Sequence, residues 1–364
     1  MSELRVLFAA GGTGGHIFPA LAVADCCRKL HPDTKIEFVG TRGRLEEKVV
    51  PRAGYPLNFL WISGFQRKAS LSTLMLPVKI GASFAQAFAL LRRFKPHVVV
   101  CAGAYVSFPV GIMASLLRIP LVLMESNALP GLTVRKLAPR ATVIHTAFEA
   151  TRKHLPASVP MEVSGNPVRG VFFQHHDQAE ARRHFGLDPN RPTIFAVGGS
   201  QGARSINAAL DSISARLLED GIQLIWQTGT SYTGGERREK NLYRATFIHE
   251  IEKGYAAADL VLARAGAMTI AELAALGKPS LLVPLPTAAD NHQQVNAETA
   301  QRAEAARMLL DAELATKLYP TLKELLADPV KLASMSRGVA ALAVSDADEK
   351  IARSVIALAR EVKS

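Results

Sequence analysis

The sequence predicts an α/β protein built from two doubly wound parallel sheets. Two observations carry that expectation. Short apolar runs of strand length end in glycine-rich or small-residue loops and lead into helical stretches, the alternation that gives a parallel sheet with helices on both faces. The series then restarts in the second half of the chain. The loop Gly11-Gly12-Thr13-Gly14-Gly15 has a counterpart in Gly198-Gly199-Ser200-Gln201-Gly202, and a strand, an Ala-Gly-Ala turn, a helix, a proline and a further strand occur in residues 98–124 and again in 260–283. At 364 residues the chain has room for two domains of ordinary size.

Taken in order, residues 4–10 are an apolar strand and Gly11 to His16 its loop. Residues 19–30 read as a helix with Pro19 in the first turn, where its missing N–H is no loss. Strands follow at 36–39, at 98–101 before Ala102-Gly103-Ala104, and at 121–124 before Glu125-Ser126-Asn127. In the second half, strand 193–197 feeds the loop 198–203 and a helix at 205–218. Strand 260–263 feeds a helix at 268–276, and a strand at 280–283 follows. The turn-forming stretch 163–170 marks a boundary, giving domains 1–165 and 166–345. A last helix over about 348–362 opens on Ser345-Asp346-Ala347-Asp348, which resembles a capping box.

Composition excludes several classes. With 48% apolar and 21% charged residues the chain is not disordered. The longest apolar stretch, 110–124, is broken by Arg118 and Pro120, so no span is expected. The short run before the first glycines does not read as a signal peptide, which places the protein in the cytoplasm. Cys26, Cys27 and Cys101 form no C-x-x-C pair and read as buried small residues. The net charge of +11 lies entirely in residues 1–182, and between Lys48 and Met124 nine basic residues occur without one acidic residue. Such a half faces something anionic.

The first glycine loop sits where a strand meets a helix N-terminus, a place for an anion. It is not a dinucleotide fingerprint. The third glycine position holds Ile17, and the second strand ends Gly40-Thr41-Arg42 without an acid. His16 is either a general base or a cap for the helix start. In the run Arg264 to Glu272 the leading amides of Ala267, Met268 and Thr269 suit a diphosphate, and Glu272 lies one turn on, where a carboxylate meets two ribose hydroxyls. The plainer reading is a helix with a Thr near its N-cap and an ordinary first-turn Glu. The polar cluster Asp290 to Asn296 follows a strand and suits sugar hydroxyls. No metal site is expected: Asp346-Ala347-Asp348 opens a helix instead of ending a strand, and His175-His176-Asp177 has no evident partner. Ile80, Phe84, Phe88 and Leu91 are spaced to face the core from one helix. Leu71, Leu74, Met75 and Val78 with Lys79 form an exposed apolar and basic approach to it, suited to an anionic membrane surface.

GGTGGH at 11–16, GAYVS at 103–107, ExN at 125–127, GNPVR at 165–169, GGSQGA at 198–203, RAGAMTIAE at 264–272 and HQxxNA at 292–297 occur in this order. Together they resemble the MurG family, the bacterial N-acetylglucosaminyltransferases that make lipid II. The resemblance covers nearly the whole chain. It implies a GT-B fold, two Rossmann-like domains facing across a cleft, with the last helix, 346–364, packing back on the N-terminal domain. It implies UDP-N-acetylglucosamine as donor, lipid I as acceptor, no cofactor, no nucleic acid, and a peripheral place on the cytoplasmic face of the bacterial inner membrane with other cell-wall synthesis proteins as partners. Matching positions assign the nucleotide end to Arg169, Ser200 and Ile251, the phosphates to Ala267, Met268 and Thr269, the ribose to Glu272, and the sugar to Asn127, Gln293 and Gln294. Thr13, Gly14 and Gly15 fall near the acceptor diphosphate, with His16 as leading base and Tyr105 and Glu125 beside it. The chain departs from the family pattern at Ala104 and Phe108, where members often carry glycine, and at Met124 and Ser126. The rival readings are a UDP-sugar transferase acting on another lipid, a UDP-N-acetylglucosamine 2-epimerase, a nucleic-acid binder using the basic half, and an NAD-linked oxidoreductase.

Overall fold

The computed structural model describes residues 3–62, 76–199 and 201–363. The chain divides into two compact units, one of Met1–Val168 with Asp346–Ser364, the other of Arg169–Ser345. The division follows from local ties. Asn166 Nδ2 donates to the Ser126 carbonyl in the first unit, whereas the Arg169 guanidinium pairs with Glu252 in the second.

In the first unit β1 (Arg5–Ala9), β2 (Lys35–Gly40), β3 (Leu57–Phe59), β4 (Val98–Cys101), β5 (Leu121–Glu125), β6 (Val143–Thr146) and β7 (Met161–Val163) form one parallel sheet, ordered β3-β2-β1-β4-β5-β6-β7. Its strands are apolar at successive positions because both faces are covered. Val6, Phe8, Val98, Val100 and Val122 enter the core beneath helix Gly14–Leu30. The alternate residues Leu7, Ala9, Val99, Cys101 and Leu123 enter the core under helices Leu76–Phe94, Ser107–Leu116 and Leu132–Leu137. The closing helix Ala347–Glu361 completes the first of these cores with Ile351, Ala352, Val355, Ile356 and Ala359, all buried.

The second unit repeats the plan. β8 (Thr193–Val197), β9 (Gln223–Gln227), β10 (Arg237–Glu239), β11 (Leu242–Ala245), β12 (Leu260–Arg264), β13 (Ser280–Val283) and β14 (Ala306–Met308) are ordered β10-β11-β9-β8-β12-β13-β14. Only β10 runs antiparallel to its neighbour. Apart from the edge strands β7 and β10, the two sheets have the same winding, so the repeated motifs reflect a repeated topology.

Three local expectations are corrected. The first helix begins at Gly14, so Pro19 lies inside it. The amides of His16 and Ile17 both reach the Thr13 carbonyl, which draws the tail of the glycine loop into the first turn. The expected core stripe of helix Leu76–Phe94 holds only in part: Leu91 is buried as expected, but Ile80 and Phe88 are not. Ser83, Ala87, Leu90 and Leu91 are buried, Phe84 is half-buried edge-on to Phe108 at 6.1 Å, and Phe88, Val78 and Ile80 are exposed by 46%, 55% and 39%. Ser83 and Ala87 let the helix lie close to the sheet alongside Leu90 and Leu91, and Phe88 turns outward. Leu71, Leu74 and Met75 lie outside the described residues. Finally, Asp346 makes no side-chain cap to the closing helix. Its carboxylate pairs with Lys350 one turn on, at 2.9 Å.

Candidate active site

Each sheet changes winding direction at one point, between β1 and β4 in the first unit and between β8 and β12 in the second. Ligands of open α/β sheets bind outside the carboxyl ends of the strands at such a point. Both glycine loops are there, directly after β1 and β8.

In the first unit Thr13 is the N-cap of helix Gly14–Leu30, exposed and with no side-chain cap bond. The amides of Gly14 and Gly15 stand ahead of the first helical bond, Ile17 N–H to Thr13 O. His16 is half-buried in this first turn and its ring lies against Gly103: a Cβ added there would fall 2.7 Å from Nδ1. Gly103 also has φ +93°, so glycine is required on both counts. The Ser107 hydroxyl lies 2.9 Å from the Ala9 carbonyl and also meets that of Gly103, tying the ends of β1 and β4 together. Tyr105 is half-buried in the same turn. The structure therefore brings Thr13, Gly14, Gly15, His16 and Tyr105 to adjoining loops.

Glu125 behaves differently from an open base. Its Oε1 accepts Asn127 N–H at 2.8 Å and Asn127 Nδ2 at 3.0 Å, and Oε2 accepts Gly131 N–H at 2.8 Å. Three N–H donors commit this buried carboxylate to shaping the loop at 125–131. They also fix Asn127, whose carbonyl accepts the Thr151 hydroxyl at 3.2 Å. Of the departures from the family pattern, Phe108 is accounted for by its contact with Phe84 and Met124 by its place in the core. Ala104 adopts φ +61°, a conformation that glycine adopts without strain.

In the second unit helix Ala267–Leu276 is capped by Gly266, which offers no side chain. Its first bond is Ile270 N–H to Gly266 O, so Met268 and Thr269 present amides ahead of the ladder, at the positive end of the helix dipole. Ala267 opens the same turn. Arg264 clamps the base of this turn. Its guanidinium donates to the carbonyls of Val283 and Pro284, both at 3.2 Å, to Ser205 Oγ at 2.7 Å, and to Asp311. Glu272 does not cap the helix. Its Oε2 accepts the hydroxyl of Tyr255, a residue 1% exposed, at 2.9 Å. Burial pushes the Glu272 carboxyl up to about 7 against the lowering effects of the Tyr255 hydroxyl and Arg169. Arg169 lies over the Phe172 ring at 5.0 Å and pairs with Glu252 at 3.4 Å.

The loops after β8 and β11 are joined by Gln227. Its Oε1 accepts Ile248 N–H at 2.9 Å and its Nε2 donates to Gly199 O at 3.4 Å. Ile251 opens helix Ile251–Ala257 just beyond. Gly202 and Gly229 meet back to back, and a Cβ on Gly202 would fall 2.0 Å from the Thr228 carbonyl oxygen. Ser200 lies outside the described residues. Asp290 and Asn291 turn the chain with φ +50° and +55° into helix His292–Arg302. There Gln293 Oε1 accepts Leu285 N–H at 3.0 Å, which leaves its amide group as the donor, while Gln294 Nε2 donates to Glu298 at 3.0 Å within its own helix. Of the triplet His175-His176-Asp177, His176 donates to the Val171 carbonyl and Asp177 caps helix Gln178–His184.

Residues 6–146 match the glycosyltransferase family 28 N-terminal domain and residues 193–351 the family 28 C-terminal domain. Curated relatives named UDP-N-acetylglucosamine--N-acetylmuramyl-(pentapeptide) pyrophosphoryl-undecaprenol N-acetylglucosamine transferase include one from Phocaeicola vulgatus, 39% identical over 98% of this chain and 97% of its own. Another, from Salinibacter ruber, is 40% identical over 98% and 97%. A crystal structure of Acinetobacter baumannii MurG aligns with a TM-score of 0.76 at 27% identity, covering 97% of this chain and 99% of the other. A UDP-N-acetylglucosamine 2-epimerase structure from Listeria monocytogenes, at 12% identity and a TM-score of 0.68, shares the fold alone. Two similar α/β units, each with a glycine loop at its switch point, and full-length likeness to these transferases together establish that the chain belongs to the MurG family of glycosyltransferase family 28, with the GT-B fold.

Proposed function

We propose that the protein transfers N-acetylglucosamine from UDP-N-acetylglucosamine to the 4-hydroxyl of N-acetylmuramyl-pentapeptide in lipid I, forming lipid II for peptidoglycan synthesis. The observation that carries the donor half is the turn Ala267-Met268-Thr269, which opens a helix behind the cap residue Gly266, with Glu272 one turn behind it. The amides and dipole of that turn stabilise the departing diphosphate as its bond to the anomeric carbon breaks. Glu272 takes the ribose hydroxyls, Arg169 and Ile251 border the nucleotide, and Gln293 and Gln294 reach the sugar.

On the acceptor half, Thr13, Gly14 and Gly15 hold the lipid diphosphate. The acceptor hydroxyl attacks the anomeric carbon from the face opposite UDP, inverting it, and gives its proton to His16, with Tyr105 close by. The commitment of both Glu125 oxygens to N–H donors supports His16 over Glu125 as base. The first unit also carries an exposed apolar and basic surface on helix Leu76–Phe94, with Val78, Ile80 and Phe88 outward beside Lys79, Arg92 and Arg93. No helix among the described residues is long and apolar enough to cross a membrane. The outward face supports peripheral binding to an anionic membrane at its cytoplasmic side, where the acceptor's diphosphate lies.

The test is release of UDP from UDP-N-acetylglucosamine with and without a short-chain lipid I analogue, in EDTA. Acceptor-dependent release is expected, lost in His16→Ala, with donor affinity weakened in Glu272→Ala. Conversion of the donor to its 2-epimer without transfer would refute the reading.

A further inference from the structure

The second strand ends without an acid in the sequence, yet the structure puts a carboxylate there. Glu46 opens helix Glu46–Arg52, and its neighbour Glu47 turns outward to accept the Gly43 amide at 2.6 Å. Glu46 turns inward and is completely buried. Its Oε1 accepts the Thr41 amide at 3.0 Å and the Thr41 hydroxyl at 2.8 Å, and its Oε2 accepts the amide of Gly12 at 3.0 Å.

The surroundings are cut to fit this side chain. A Cβ on Gly11 would fall 2.7 Å from Glu46 Oε1, and one on Gly40 would fall 2.6 Å from Glu46 Cγ. A buried carboxylate held by three donors is costly to remove one bond at a time, because each orphaned donor stays away from water. With both oxygens committed, Glu46 cannot hold a ribose. It joins the end of β2 to the glycine loop instead. The loop's donors are thereby divided: Gly12 N–H points to Glu46, while Gly14 and Gly15 lead the helix that starts at the N-cap Thr13.

We propose that Glu46 is a positioning residue for the acceptor half of the reaction: it fixes Gly11-Gly12 so that the turn from Thr13 to His16 meets the acceptor's diphosphate and hydroxyl in place. The inference rests on the acceptor reading of this loop given above. Glu46→Gln keeps the shape, but its amide group turned to Gly12 sets donor against donor. Gly11→Ala keeps the carboxylate and displaces it by crowding.

The experiment measures steady-state transfer to a short-chain lipid I analogue, together with UDP-N-acetylglucosamine affinity by calorimetry. Both variants are expected to lose about 10- to 100-fold in kcat/KM for the acceptor, as misplaced reacting groups do, with donor affinity unchanged. Thr41→Val, which leaves the Gly12 bond intact, is expected to stay within about threefold of the parent. Wild-type acceptor kinetics in both Glu46→Gln and Gly11→Ala, or equal losses of donor affinity, would overturn the proposal. His16→Ala separates the two readings. If it is inactive while the two brace variants are normal, only the role of Glu46 fails. If all three are normal, the acceptor reading of the loop fails as well.

Discussion

Removal of one oxygen tests the ribose-binding role proposed for Glu272. Tyr255→Phe deletes the hydroxyl that donates to Glu272 Oε2 at 2.9 Å, at a site where Tyr255 is 1% exposed. A hydrogen bond to a charged group contributes roughly 1.5 kcal/mol, which corresponds to about one pKa unit. The carboxyl, held at about 7 in the parent, then moves to roughly 8. At pH 7.5 its ionised fraction falls from about three quarters to about one quarter, whereas at pH 9 it stays above about nine tenths in both proteins. The ionised carboxylate is the form that accepts both ribose hydroxyls. UDP-N-acetylglucosamine should therefore bind the variant about threefold more weakly at pH 7.5 and almost equally at pH 9. Titration calorimetry without acceptor reads this as the ratio of parent to variant affinity at each pH, in which any ionisation of the donor itself, the uracil's near pH 9 included, cancels. Equal weakening at both pH values, or none at pH 7.5, would refute the reasoning. The raised carboxyl also has a stability consequence: its contribution is full below the unfolded value of 4.5 and is lost as pH rises through about 7.

Three further outcomes are expected. Gly202→Ala places a Cβ 2.0 Å from the Thr228 carbonyl oxygen at φ +84°, and should destabilise the second unit by about 2–4 kcal/mol in denaturant unfolding. Ala104→Gly removes a left-handed alanine at φ +61°, and should raise the melting temperature by roughly 1–3 °C, since part of the relief is offset by unfolded-chain entropy. Phe88→Ser, at a residue 46% exposed, should weaken sedimentation with anionic vesicles several-fold while leaving donor affinity unchanged.

The fold was legible where strands are buried on both faces. Residues 98–101, 194–197 and 281–283 are continuous apolar runs followed by loops, and they form the strands 98–101, 193–197 and 280–283. The family was legible from seven ordered motifs, and the leading turn at 267–269 from its small residues before Glu272. Other features left no local trace. The edge strands β3, β7, β10 and β14 are three residues each and are defined by their neighbours. The inward face of helix Leu76–Phe94 is set by how closely the helix approaches the sheet, so Ser83 and Ala87 go in and Phe88 goes out, against the hydrophobic pattern. Glu46 was hidden because the strand end it completes lies six residues back in sequence. The signal for it is a pair of glycines, Gly11 and Gly40, each at the end of a neighbouring strand, making room for one side chain from a third segment. Tyr255 was passed over because its partner Glu272 is 17 residues away on another helix.

The closing helix gives the order of events on the ribosome a particular form. The first unit's core is completed by Ile351, Val355 and Ala359, which emerge only after the entire second unit has been made. At about 5–20 residues per second, the segment from residue 169 to residue 346 takes roughly 10–40 s to synthesise. Through that interval the helix Gly14–Leu30 keeps part of its apolar surface uncovered, and at its end the second unit holds every residue of its own core, Met335 included, before Ile351 has been added. The half of the protein that is translated last is therefore free to fold first. The nascent first half is the part exposed to chaperones, and to aggregation when translation stalls before residue 347.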